Sequence, residues 1–102
     1  MNIFDKVYSV VREIPIGEVM TYGQVADLVG TNARTISWAL SASKDMSLPW
    51  HRVVGAGGYL VIGRRSSELL KTQKMLLEAE GVSVSNFNKV AEFAKHSANS
   101  AA

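Results

Sequence analysis

The stretch from Thr21 to Ala42 reads TYGQVADLVG, then TN, then ARTISWALSA: two helix-sized segments separated by two residues. No other feature restricts the fold as much. Thr21, with Gln24 three residues on, has the spacing of a capping box, in which side chain and backbone at a helix start satisfy each other's free amides. Gly30 supplies the matching C-terminal cap, and Asn32 is suited to cap the next helix. In that second segment Ile36, Ala39 and Leu40 share one face. Two short helices joined by so tight a turn form a helix-turn-helix.

The flanking segments supply the rest of a small core. Phe4, Val7, Tyr8, Val11 and Ile14 recur at helical spacing until IPIG stops the pattern, which predicts a core-facing first helix. After Pro49 the period changes. HRVV and YLVI are β-prone runs separated by GAGG, predicting a short extended or hairpin-like region. SSELLKTQKMLLEAE, Ser66 to Glu80, predicts a helix with Leu69, Leu70, Leu76 and Leu77 apolar and Gly81 as its stop. VSVSNF reads as a short strand, NKVAEFAK as a last turn or two of helix, and residues 97–102 as a flexible polar tail. The fold class expected is therefore mostly α with a short β segment, a winged-helix-like helix-turn-helix domain over residues 1–96.

Composition bounds the chemistry. With 102 residues the chain suffices for one modest core. It contains no cysteine, which removes disulfides and thiol catalysis together. Its two histidines have no clustered partners, so no metal site and no cofactor are expected. No apolar run reaches membrane-spanning length. The start MNIFDKVYSV has neither a basic leader nor a cleavage pattern. The expectation is a cytoplasmic, monomeric protein without a membrane partner, nucleoid-associated when bound to DNA if the source is bacterial.

Charge is unevenly spread. Residues 1–33 carry Lys6 and Arg12 against Asp5, Glu13, Glu18 and Asp27, a net of −2. Residues 34–74 carry Arg34, Lys44, Arg52, Arg64, Arg65, Lys71 and Lys74 against Asp45 and Glu68, a net of +5. That middle segment is where a polyanion would sit, although charge alone favours a solvated basic face with no ligand. Arg34 sits at the start of the second helix among Ala33, Thr35 and Ser37. Small side chains there let a helix backbone approach a groove, and an arginine at a helix N-terminus is slightly unfavourable with the dipole unless it has a role.

In SLPWHRVVGAGG, Ser47 to Gly58, Trp50 occupies the place where a cysteine beside His51 would read as an activated nucleophile. An indole can neither attack nor accept an alkyl group under those conditions. Taken together, IPIGEVMTYGQVADLVG, ARTISWAL, PWHRVV, the glycine-rich turn and EAEG resemble the alkyltransferase-like proteins, relatives of the O6-alkylguanine-DNA alkyltransferases in which the acceptor cysteine is replaced. The resemblance runs from about Ile3 to Val84 and carries specific implications.

It implies binding to double-stranded DNA through the minor groove by the helix from Ala33 to Ala42, and rotation of a damaged nucleotide into a pocket. Tyr22 matches the tyrosine that pushes on the target phosphate and borders the flipped base. Arg34 matches the finger that fills the vacated stack. Trp50, beside Pro49, matches the alkylated cysteine, and Val53 the residue whose carbonyl meets the guanine amino edge. Arg64 is the first match for the arginine of the lesion-binding loop, and Arg65 takes that place if the loop is one residue out of register. The basic trio Arg52, Arg64 and Arg65 is expected on phosphate and base, with Arg52 partly engaged in holding its loop.

His51 and Glu80 match the pair that activates the thiol and are expected here as a vestigial, structural relay; Ser43 stands for a hinge asparagine. Trp38 falls where the family commonly has a small residue, and its orientation is open. The function implied is a non-catalytic sensor of O6-alkylguanine that marks lesions for nucleotide excision repair proteins. The alternatives are a residual enzyme of the methylated-DNA-[protein]-cysteine S-methyltransferase family, a base-processing repair enzyme, or a sequence-specific regulator in the major groove, for which Ala33, Thr35 and Ser37 offer few base-reading groups.

Overall fold

The computed structural model describes residues 2–98. Helix α1 spans Ile3–Arg12, α2 Tyr22–Val29, α3 Ala33–Ala42, α4 Ser67–Ala79 and α5 Phe93–His96, with two-residue strands β1 at Met20–Thr21 and β2 at Val53–Val54. The caps read from the sequence are in place. The Thr21 hydroxyl accepts from the Gln24 amide at 3.0 Å while the Gln24 side chain accepts from the Thr21 amide at 2.8 Å. Gly30 closes α2 at φ 89°, a left-handed conformation that glycine adopts without a Cβ clash. Asn32 Oδ1 accepts from the Thr35 amide at 2.9 Å and starts α3.

The expected hairpin after Pro49 does not form. Val53–Val54 pairs instead, in parallel, with Met20–Thr21, and the segments Ala56–Gly58 and Val61–Arg64 coil into 3-10 turns. GAGG thus ends a strand whose partner lies more than thirty residues upstream, and only an isolated bridge joins Tyr59 to Lys89. The small sheet divides the interior. Successive side chains of a strand point to opposite faces, so Met20 and Val53 join Val7, Val11, Ile14, Val25, Ile36, Ala39 and Leu48 under the helix-turn-helix. Val19 and Val54 join Leu60, Leu77, Val82 and Val90 on the other side. Tyr8 ties α1 to α3 by donating its hydroxyl proton to the Ala39 carbonyl at 2.7 Å.

The domain also runs past its expected boundary. Ser97 bridges Val19, the Ala98 amide donates to the Val19 carbonyl at 2.7 Å, and Ala98 is buried in the core. These backbone bonds remove both residues from the expected tail; residues 99–102 lie outside the described residues. Among the described residues no helix is long and apolar enough to cross a membrane.

Candidate nucleic-acid interface

The two caps that order the helix-turn-helix also aim its functional side chains. The capping box makes Tyr22 the first residue of α2, which turns its ring toward α3 and leaves it half-buried. Burial raises the Tyr22 pKa and the nearby Arg65 guanidinium only partly opposes this, so the phenol stays a hydrogen-bond donor. The Asn32 cap makes Arg34 the second residue of α3, fully on the surface.

Between α3, the segment after it and the turn before α4 lies an open cavity of about 370 Å³. That is the lower part of the range for small-molecule sites. Its wall includes Tyr22, Ser37, Ser41, Ser43, Lys44, Trp50 and Arg65. Tyr22 and Trp50, both expected at a pocket, are thus brought together, and Ser37, expected on the groove-facing helix, joins them in the wall. Arg65, the second choice for the loop arginine, faces the cavity and donates from Nη1 to Ser41 Oγ at 2.8 Å. Arg64, the first choice, stays exposed and off the wall. The 3-10 turn Val61–Arg64 ends just before Arg65, and this sets which of two adjacent arginines faces inward.

Two other expected pocket residues lie behind the cavity. Val53 is fully buried in β2, and its carbonyl accepts from Gln73 Nε2 at 3.1 Å. Pro49 lines a separate depression with His51 and Arg52 on the far side of Trp50. Ala33 and Thr35 lie at the start of α3 outside the cavity wall. Ser43 caps the end of α3 and accepts from the Asp45 amide at 3.2 Å.

His51 and Glu80 meet, but in a closed knot. Glu80 Oε2 accepts from His51 Nε2 at 2.7 Å and from Arg52 Nη2 at 2.8 Å, and Oε1 accepts from Arg52 Nε at 3.0 Å. Arg52 Nη1 donates to the Ile14 carbonyl at 2.9 Å. Burial would raise the Glu80 pKa, but the hydrogen bonds from Arg52 and His51 outweigh it and bring it down to about 2. The carboxylate is therefore charged and saturated. Arg52, expected partly on phosphate, is wholly taken up here, its side chain only 13% exposed.

The residue that sequence reasoning missed is Gln73. It is buried at 2% exposure on α4, where its Nε2 donates to the His51 and Val53 carbonyls at 3.2 and 3.1 Å. It pins the Trp50-bearing turn from behind. Its only sequence signal is a polar residue four positions before Leu77 on the inward face, which is indistinguishable from a surface glutamine without the packing.

The chain matches the family model for the 6-O-methylguanine DNA methyltransferase DNA-binding domain over residues 2–82. It belongs to that family. Within it, a DNA base-flipping protein of Vibrio parahaemolyticus is 38% identical over 89 residues, covering 84% of this chain and 86% of the relative. A methylated-DNA–protein-cysteine methyltransferase of Saccharolobus islandicus is 42% identical over 82 residues, and the match covers 76% of this chain but 50% of the methyltransferase. Among solved structures, S. pombe Atl1 in complex with damaged DNA containing O6-carboxymethylguanine superposes with a TM-score of 0.82 at 32% identity, covering 95% of this chain and 94% of Atl1.

The chain is thus an alkyltransferase-like member of the family. With no cysteine anywhere in the sequence and an indole at position 50, it has no thiol to accept an alkyl group and is not a cysteine methyltransferase.

Proposed function

We propose that this protein is a non-catalytic sensor of O6-alkylguanine in double-stranded DNA. The observation that carries the reading is the cavity bordered by Tyr22 and Arg65 with Trp50 in its wall: a site with aromatic, hydroxyl, ammonium and guanidinium groups and no thiol. It is supported by the S. pombe Atl1 complex with damaged DNA containing O6-carboxymethylguanine and by the Vibrio relative, a DNA base-flipping protein.

In this scheme α3 enters the minor groove and Tyr22 presses on the target phosphate. Extruding a base costs a few kcal/mol of pairing and stacking, and less when the base is damaged and mispaired. Arg34 offsets part of that cost by filling the vacated place, and Arg65 covers the flipped base by a cation–π contact. The O6 substituent rests against Trp50. Without turnover the product is a long-lived complex, which marks the lesion for nucleotide excision repair proteins. The protein acts as a monomer in the cytoplasm, with DNA as its first partner and no membrane role.

Titrating matched duplexes with guanine or O6-methylguanine tests this reading: at least tenfold tighter binding to the damaged duplex is expected, and equal affinities would refute it. Mass spectrometry of protein and oligonucleotide after incubation is expected to show both unchanged; a transferred methyl group or a released base would restore an enzymatic role.

A further inference from the structure

Trp38 lies one helical turn beyond Arg34 on α3, with 57% of its surface exposed. The Arg34 guanidinium carbon sits over its ring, 5.5 Å from the centroid. A single exposed aromatic is ordinary on a protein surface. An exposed indole that carries the one arginine of the recognition helix is a different matter, because the two side chains then form one projecting unit. No acidic side chain of the described residues pairs with Arg34, so Trp38 is its recorded partner.

The geometry matters in a groove. The minor groove is about 6 Å wide and an α-helix is about 10 Å across, so α3 enters only where the duplex is widened. Arg34 and Trp38 are four residues apart, about 6 Å along the helix axis at 1.5 Å per residue. Base steps are about 3.4 Å apart. With α3 lying along the groove, an arginine in the vacated stack leaves the indole about two steps away, where it is too bulky for an undistorted floor. Apolar side chains in that position act as wedges that unstack and kink the duplex.

We propose that Trp38 is a second DNA-contacting residue, a wedge that holds Arg34 over its face in the free protein and props open the neighbouring base steps in the complex. This rests on the minor-groove reading above. It predicts that the chain prefers duplex already loosened around its target, since the widening that the indole demands is then partly made.

The test uses the full chain and the guanine and O6-methylguanine duplexes. Trp38→Ala is expected to weaken binding to the damaged duplex about tenfold, with Trp38→Phe keeping most of the affinity and the thermal midpoint of both variants unchanged. Because the pair acts as one unit, Arg34→Ala with Trp38→Ala is expected to lose clearly less than the product of the two single losses. In Trp50→Phe, Trp38 is the remaining tryptophan, and its emission is expected to be quenched on saturation with duplex. Unchanged or tighter binding by Trp38→Ala, independent losses in the cycle, or unaltered Trp38 emission would each overturn the proposal. So would a Trp38→Ala effect confined to self-association in sedimentation, which would make the indole a protein contact. Equal affinity of the parent protein for both duplexes refutes lesion sensing while leaving the Trp38 measurements on either duplex decisive.

Discussion

Trp50 and its two successors in sequence face opposite ways, and the two regions they serve differ in kind. On one side Trp50 borders a cavity whose polar groups have spare capacity: the Tyr22 phenol, the Ser37 hydroxyl and an Arg65 guanidinium with one recorded bond, to Ser41. On the other side His51 and Arg52 close on Glu80 with every short contact used, and Gln73 ties their turn to α4. Polar groups that satisfy one another hold a scaffold, and those left with capacity are available to a ligand. The pair that resembles a catalytic relay is on the scaffold side.

Substitutions therefore sort by side. The largest effect is expected from Glu80→Ala, which leaves the buried His51 and the half-buried Arg52 without their carboxylate. Breaking a fully buried pair costs about 3–5 kcal/mol; Glu80 and Arg52 are partly exposed, so a smaller loss is expected, read as a fall in the thermal or urea midpoint. A loss of DNA affinity at unchanged stability would place Glu80 with the ligand instead. Next comes Arg34→Ala, expected to lose about tenfold or more in affinity for damaged duplex while its unfolding free energy moves by no more than about 0.5 kcal/mol, as for other exposed positions.

Acid probes the knot in a window it shares with the exposed Asp45, whose carboxyl Ser47 and Arg12 also hold down at about 2, so the Glu80→Gln comparison isolates the knot. The folded Glu80 pKa of about 2 lies below the ordinary value of 4.5, so the carboxylate's contribution is fully present above that value and is lost as pH falls from there toward 2. A thermal midpoint that declines over this window in the parent and declines less in Glu80→Gln is the expected result. Trp50→Cys sharpens the comparison from the other side. The new thiol would stand at the cavity wall, but Glu80 is held by Arg52 and Ser43 replaces the hinge asparagine, so mass spectrometry is expected to show negligible methyl transfer. The smallest effect is expected from Ser41→Ala, which frees Arg65 from its one recorded bond and changes affinity for damaged duplex about twofold, since a neutral partner on the surface contributes about 0.5 kcal/mol.

What could be read in the sequence follows from the range of the interactions involved. The capping box at Thr21, the αL glycine at 30 and the Asn32 cap each act within four residues, so the helix-turn-helix and the placement of Tyr22 and Arg34 on it follow from local chemistry. The absence of cysteine likewise needed no structure to rule out alkyl transfer to a thiol. Where a partner lay far along the chain, local reasoning failed. β2 pairs with Met20–Thr21 rather than in a hairpin, and Arg52 meets a carboxylate 28 residues away.

The sequence by itself determined the domain's helical frame, its basic middle segment and a site with an indole in place of a nucleophile. Only the tertiary structure put Arg65 rather than Arg64 on the cavity wall, set Val53 and Pro49 behind the cavity, turned Trp38 outward under Arg34 and buried Gln73 behind the Trp50 turn. The physical reason is the same in each case. A side chain's direction depends on which neighbours fill the space around it, and those neighbours come from distant segments that only packing brings together.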